Sequence, residues 1–262
     1  MHPVITLFGV PVHAYALCTW VAAAAACALA VPSLRRVGWS LRQSLLLPAV
    51  MCLCFLIGAR LWNAAVNPAN FLTLPWYSLK LAGLSLYGGL AGALAALPAY
   101  TRAAGKKPLP ALDAMTFPGG AAFCIARIGC FLNGCCGGVA TGGPFGVVFP
   151  SRDLSGSLPS VLSFLQNRAV HPTQLYELFG AAAGMAIAAA VTGKKNKIPG
   201  MRFFCYAGLF SLMRLAVLPL RALAYSAAVK NVLYPALYLC VIAASAVGMY
   251  LLKKRSRGKR SE

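Results

Sequence analysis

Acidic residues are nearly absent from this sequence. The 262-residue chain holds 4 Asp+Glu against 24 Lys+Arg, a formal charge of +20, and only 3 histidines. Charged residues make up 11% of it, while 60% is hydrophobic. Soluble domains run near a quarter charged, so these few groups cannot cover a soluble surface of this size. A soluble enzyme, a disulfide-rich secreted domain and a disordered basic tail are excluded. An integral membrane protein remains. The start also lacks a basic n-region and a clean small-residue cleavage site, so no secretory signal is expected. No tandem repeat appears, and the length fits one membrane domain over 1–262.

A helix needs about 20 apolar residues to cross a bilayer. Runs that qualify lie at 12–31, 43–62, 81–100, 111–133, 173–193, 201–219 and 232–252. The expected fold is all-α and integral to the membrane, with about seven transmembrane helices. The first run is Ala-rich and is expected to end at Pro32. The third carries Gly83, Gly88, Gly89 and Gly92, small residues that let membrane helices approach closely. The longest polar connection, 134–172, is rich in Gly, Pro and Ser (Gly142-Gly143-Pro144, Ser155-Gly156-Ser157). Its length marks it as a functional extracytoplasmic loop or arm.

Basic residues set the orientation. One set of alternate loops holds Arg35, Arg36, Arg42, Arg102, Lys106, Lys107, Lys194, Lys195, Lys197 and the cluster from Lys253 to Arg260. The other holds only Arg60, Lys80, Arg152, Arg168, Arg221 and Lys230. The positive-inside rule places the 253–262 tail in the cytoplasm, and the N-terminus and the 134–172 loop outside. The tail's charge is accounted for by topology and anionic lipid headgroups, with no nucleic-acid partner.

Arg127, Arg202 and Arg214 belong to neither set. Arg202 reads as a span-end anchor. Arg127 and Arg214 lie inside apolar runs, where a charge is expensive and usually faces a bundle interior or a cavity. Snorkelling toward a span end is the alternative. The chain's acids are Asp113, Asp153, Glu177 and Glu262, and only Asp113 and Glu177 fall near the membrane. The two arginines are therefore expected to be unpaired within the protein and to hold an anionic ligand. Phosphate fits, because guanidinium grips it bidentately. A phospholipid headgroup is the natural source.

Most of the ten cysteines read as small apolar packing residues. Cys130, Cys135 and Cys136 differ, with three thiols in seven residues where a span meets the outer loop. They can exchange as a redox site. They can join His171 as metal ligands, although C-x4-C-C is not a familiar zinc spacing. They can be thiols made reactive by Arg127, or simply pack. His171 opens His-Pro-Thr-Gln-Leu-Tyr-Glu at the mouth of the fifth run, where Pro172 and Thr173 suit a helix start. Histidine is the side chain best placed to move a proton near neutral pH.

The stretch from Arg127 to Gly138 (Arg-Ile-Gly-Cys-Phe-Leu-Asn-Gly-Cys-Cys-Gly-Gly) resembles a signature of the prolipoprotein diacylglyceryl transferase family, Arg-x-Gly-Asn-Phe-x-Asn-x-Glu-x-x-Gly. Ser85-Leu86-Tyr87-Gly88-Gly89-Leu90 resembles that family's Ser-Phe-His-Gly-Gly-Leu. Residues 144–150 resemble its Pro-Trp-Gly-x-x-Phe-Pro, and His171 to Glu177 its His-Pro-Ser-Gln-Leu-Tyr-Glu. Arg214 and Arg221 resemble the arginines of its Arg-x3-Glu-x2-Arg stretch. Tyr15, after Pro3 and Gly9, fits its first-span tyrosine. The likeness covers nearly the whole chain.

The resemblance implies a transferase of lipoprotein biosynthesis in the bacterial cytoplasmic (inner) membrane. Such an enzyme moves the diacylglyceryl group of phosphatidylglycerol onto the lipobox cysteine of a preprolipoprotein and releases glycerol phosphate. It implies catalytic roles for Arg127, Arg214, His171 and Tyr87. Substrate contacts are implied for Tyr15, Asn133, Gly138, Glu177 and Arg221. No cofactor or metal is expected. Four positions depart from the family pattern: Tyr87 replaces a His, Cys130 an Asn, Cys135 a Glu, and Leu218 the Glu between the two arginines. These departures keep two other readings open, a thiol-redox or metal-binding membrane protein of the same fold and a non-catalytic phospholipid-binding homologue.

Overall fold

The computed structural model describes residues 4–7, 10–66, 85–149, 168–193, 198–223 and 226–261. Pro3, Gly9, Lys80, Gly83, Arg152, Asp153, Ser155-Gly156-Ser157, Lys194, Lys195, Lys197 and Glu262, named above, lie outside the described residues. A short antiparallel pair, β1 (Val4–Leu7) and β2 (Val10–His13), leads into α1 (Ala14–Arg35). Then come α2 (Leu41–Val66), α3 (Leu86–Ala103) and α4 (Pro108–Asn133). A second antiparallel pair, β3 (Val147–Val148) and β4 (Ala169–Val170), precedes α5 (Thr173–Val191) and α6 (Met201–Val217). A 3-10 turn (Leu218–Leu220) closes α6, and a π-helical turn (Val229–Leu233) opens α7 (Tyr234–Ser261).

The fold is helical, and among the described residues six helices are long and apolar enough to cross a membrane. The shorter α3 spans 18 residues and is not among them. Large apolar side chains such as Trp20, Leu53, Leu61, Phe179 and Leu239 are exposed on the outside of the bundle. In water such patches would drive aggregation; in a bilayer they face lipid tails. Polar side chains instead turn inward (Ser44, Asn63, Thr116, Gln174, Glu177, Ser211), inverting the soluble pattern.

Several element ends differ from the expectation. The first helix does not stop at Pro32 but continues to Arg35. Pro32 has no N–H to donate to the Ala28 carbonyl, and the helix passes it with that one bond missing, as membrane helices tolerate and as α2, α3 and α4 do at Pro48, Pro98 and Pro118. The last helix continues through the basic run that begins at Lys253 and ends at Ser261. Lys and Arg are good helix formers, and cations favour the C-terminal end of the macrodipole. The two small β-pairs add to an otherwise α-helical fold.

Glycines set the closest helix contact. A Cβ placed on Gly88 would stand 2.2 Å from the Gly58 carbonyl oxygen, and one on Gly92 2.2 Å from the Cys54 carbonyl oxygen. So α2 and α3 touch backbone to backbone, as small residues allow in membranes. Similarly, a Cβ on Gly129 would lie 2.6 Å from Cys18 Cβ, which seats α4 on α1. Asp113 of α4 caps the start of α6, its carboxylate accepting from the Gly200 N–H (2.7 Å) and the Phe203 N–H (2.8 Å). This satisfies donors that a helix start leaves open. Arg202 bonds Thr192 Oγ1 at 3.2 Å and lies over Phe117, anchoring the same end.

The glycine contact yields a direct test. Gly92→Ala should destabilise the protein by about 1–3 kcal/mol, because its clash partner is backbone and cannot swing away. Gly119→Ala, with nothing within 4 Å, should be neutral or slightly stabilising. Thermal-shift midpoints of the two variants in one detergent would compare them, and equal midpoints would refute the backbone contact.

Candidate functional site

One end of the bundle collects the polar residues. It is the end where α1, α3, α5 and α7 begin and where α4 and α6 finish. Arg127 and Cys130 lie in the last turns of α4. Gly134 ends that helix in the left-handed region (φ 70°), as C-terminal glycines do. Cys136 is the one non-glycine residue among those described with positive φ, at 61°. This kink folds the three thiols together, with all three Sγ atoms within 4.8 Å of one another.

The turn is braced from below. The Gln174 Nε2 group donates to the Cys135 carbonyl at 2.7 Å, and the Thr173 hydroxyl donates to the Cys136 carbonyl at 2.9 Å. Both side chains are buried at the start of α5. Three backbone segments then cross. The Gly138 N–H donates to the His171 carbonyl (2.8 Å), the Val139 N–H to Leu220 (2.8 Å) and the Ala222 N–H to Gly137 (3.3 Å). A Cβ on Gly138 would meet the Leu220 carbonyl oxygen at 2.5 Å, so only glycine lets these segments close.

Glu177 lies one turn into α5 and is 1% exposed. Its carboxylate faces three guanidiniums. Arg214 Nη1 donates to Oε1. Arg127 Nε stands 2.8 Å from Oε2, out of line for a hydrogen bond. Arg221 Nε stands 3.5 Å from Oε1. Arg127 and Arg214 are therefore paired within the protein, which corrects the expectation drawn from the scarcity of acids. One carboxylate at the helix mouth reaches all three cations because they approach from three different elements. The pairing is incomplete: three positive charges meet one negative, leaving a net charge of +2 in a largely buried place.

Aromatic hydroxyls complete the wall. Arg214 Nε donates to the Tyr87 hydroxyl at 2.8 Å, and its guanidinium lies 5.3 Å over the Tyr87 ring. The Tyr87 hydroxyl is hydrogen-bonded to that of Tyr238. Tyr234 packs on Tyr87 with ring centroids 5.1 Å apart. Tyr15 of α1 lies within electrostatic reach of Arg127 and the three thiols. His171 is elsewhere in the loop network, its Nδ1 3.4 Å from the Tyr176 hydroxyl. Asn133 is half-buried at the end of α4 and makes no side-chain hydrogen bond among the described residues. Leu218 packs against Tyr234 and Tyr238.

Thus Tyr15, Tyr87, Arg127, Cys130, Cys135, Cys136, Glu177, Arg214 and Arg221 gather in one place, while His171, Asn133 and Gly138 lie at its margin. Sequence reasoning missed Tyr234, Tyr238, Thr173 and Gln174. The spacing Tyr234-x3-Tyr238 at the start of the last apolar run puts both rings on one helix face, and that pattern was the available signal.

The thiols do not share one acidity. Hydrogen bonds from the Cys130 and Cys135 thiols, aided by the charges of Arg127 and Arg221, hold the Cys136 thiol well below the usual range. Cys135 is pushed up, because its proton is engaged by its two neighbours.

A family model described as prolipoprotein diacylglyceryl transferase matches residues 3–253. A phosphatidylglycerol–prolipoprotein diacylglyceryl transferase of Solidesulfovibrio magneticus is 32% identical over 227 residues, covering 84% of this chain and 80% of that protein. One of Clostridium tetani is 28% identical over 178 residues, covering 67% and 68%. One of Treponema pallidum is 31% identical over 154 residues, covering 47% of this chain and about half (46%) of the relative.

The acidity of Cys136 can be read chemically in the reduced protein. Its iodoacetamide alkylation rate, followed by localised mass spectrometry, should level off at a pH below the ordinary thiol midpoint of about 8.5. The rate should fall only as pH drops through that lower midpoint. A midpoint at or above the ordinary value would contradict the assignment.

Proposed function

The chain belongs to the prolipoprotein diacylglyceryl transferase family, and on that premise we propose that it transfers the diacylglyceryl group of phosphatidylglycerol to the cysteine thiol of a preprolipoprotein. A carbon–sulfur bond forms, the glyceryl carbon–oxygen bond to phosphate breaks, and glycerol phosphate leaves. The observation that carries this reading is the net charge of +2 around Glu177. A bound phosphodiester has one negative charge. The departing phosphate monoester approaches two. An excess of guanidinium over carboxylate stabilises the charge that grows on the departing phosphate, which is how a site lowers a barrier.

The residues divide the work. Arg127, Arg214 and Arg221 hold the phosphate and take up the charge that grows on it. Glu177 fixes the three guanidiniums against one another. Tyr87, held by Arg214 and Tyr238, offers its hydroxyl to the phosphate oxygens. Tyr15 and Asn133 line the approach, and Gly138 keeps the loop backbone closed. The acceptor thiol must lose its proton, because thiolate is the nucleophile. The positive field lowers the cost of ionising it, and His171 at the margin is the imidazole available to receive the proton.

The finer topology follows the same reading. Seven helices cross the bacterial inner membrane, α3 included, with the N-terminus outside. The described parts of the 134–172 segment, 134–149 and 168–172, lie on the extracytoplasmic side, and residues 150–167 lie outside the described residues. The basic segment 253–262 lies at the cytoplasmic face, where anionic lipids attract it. A membrane lipid thus enters the site from the side.

Purified full-length protein incubated with phosphatidylglycerol and a lipobox-cysteine peptide should release glycerol phosphate and give a peptide heavier by the diacylglyceryl group. Arg214→Lys should lower turnover on the order of 10²–10³-fold, as loss of a charge-stabilising donor does. Release without a modified peptide would point to another acceptor. Bound lipid with neither product would favour the non-catalytic lipid-binding reading and overturn this one.

A further inference from the structure

The three thiols remain unexplained by the transfer reaction, in which the acceptor cysteine belongs to the substrate. We propose that Cys130, Cys135 and Cys136 form a three-coordinate, sulfur-only site for a soft monovalent metal ion of the copper(I) type. Four observations converge on it. First, the Sγ atoms already lie within 4.8 Å of one another. An ion at about 2.3 Å from each of three sulfurs would place them about 4 Å apart, so only small shifts are needed.

Second, the bowl is pre-formed. The left-handed kink at Cys136, the helix stop at Gly134 and the buried donors Gln174 and Thr173 on the carbonyls of Cys135 and Cys136 hold the turn. A site built in advance loses little entropy on binding. Third, the ligand set ends at three. No histidine or carboxylate joins the group among the described residues. His171 meets Tyr176, and Glu177 is committed to the arginines. Zinc asks for a fourth ligand, whereas thiolate-only sites of low coordination select copper(I).

Fourth, charge chooses between the ions. The arginine cluster stands at +2, and Arg127 Nη1 reaches Cys130 Sγ at 3.8 Å. Three thiolates with one monovalent ion carry −2 and cancel that charge. With a divalent ion they carry −1 and leave a buried positive charge unmatched. The metal-loaded cluster therefore neutralises the same charge that a phosphate would.

Binding can be measured without lipid or peptide, so the result stands apart from the transferase reading. Copper(I), supplied in competition with bathocuproine disulfonate, should load the reduced, detergent-solubilised full chain at one ion per chain. X-ray absorption should report three sulfur neighbours. Cys130→Ser, Cys135→Ser and Cys136→Ser should each weaken binding by more than the roughly 10–100-fold that loss of an outer-shell partner costs. Cys205→Ser and Cys240→Ser, outside the cluster, should leave it unchanged. Thermal midpoints would identify any serine variant that fails to fold, and the remaining two would carry the test. Undiminished binding in all three variants, or tighter stoichiometric binding of zinc(II) than of copper(I), would overturn the proposal. So would a disulfide among these cysteines that survives purification in reductant.

Discussion

A single buried carboxylate holds this structure's polar end together. Glu177 sits among three guanidiniums that come from the end of α4, the end of α6 and the turn beyond it. Breaking a buried pair from one side leaves an uncompensated charge, at a cost of about 3–5 kcal/mol. Among the described residues, no other carboxylate pairs with these guanidiniums. The other acid near the membrane, Asp113, is engaged at the start of α6 as a cap. The two carboxylates thus have separate tasks, one joining helices and one organising cations.

The rest of the fold serves to bring those cations to one place. Glycine contacts bring α2 to α3 at backbone distance and seat α4 on the Cys18 side chain of α1. Tyr87 of α3 meets Arg214, and Tyr15 of α1 lies near Arg127. The crossed segments at Gly138, His171 and Leu220 then tie the turn after α4 to the start of α5 and the end of α6. These parts leave more guanidinium than the carboxylate present can neutralise. The tyrosine hydroxyls satisfy Arg214 Nε without adding charge, so they position a cation and leave its field intact.

Much of this was readable in the residues, for definite reasons. Apolar runs long enough to span a bilayer are a strong signal, and they located the helices even where the ends differed. Arg127 and Arg214 stood out because charge inside an apolar run is costly. Their partner did not, because nothing in His171 to Glu177 says which cations a glutamate will face once the chain folds. Pro32 misled because a membrane helix can carry a proline at the loss of a single backbone hydrogen bond, as this chain also does at Pro48, Pro98 and Pro118. Tyr234 and Tyr238 were hidden by their ordinary look, two aromatics at a span start where such residues are common. The thiol bowl was half visible. The spacing showed three cysteines close in sequence, but only the left-handed kink at Cys136 makes their sulfurs converge.

The order of these residues along the chain bears on how the protein is made. Arg127 leaves the ribosome in α4, before the glutamate that will neutralise it, and Arg214 and Arg221 follow only after that glutamate. During insertion the nascent chain must therefore carry an unneutralised cation in α4 until α5 arrives. Arg127 lies near the end of its helix, where a long side chain can stay at the interface in the meantime. Tyr238, the last contributor, waits for the final helix. Assembly of the polar end is thus non-local in sequence: a chain that stops before α7 lacks Tyr234 and Tyr238 beside Tyr87.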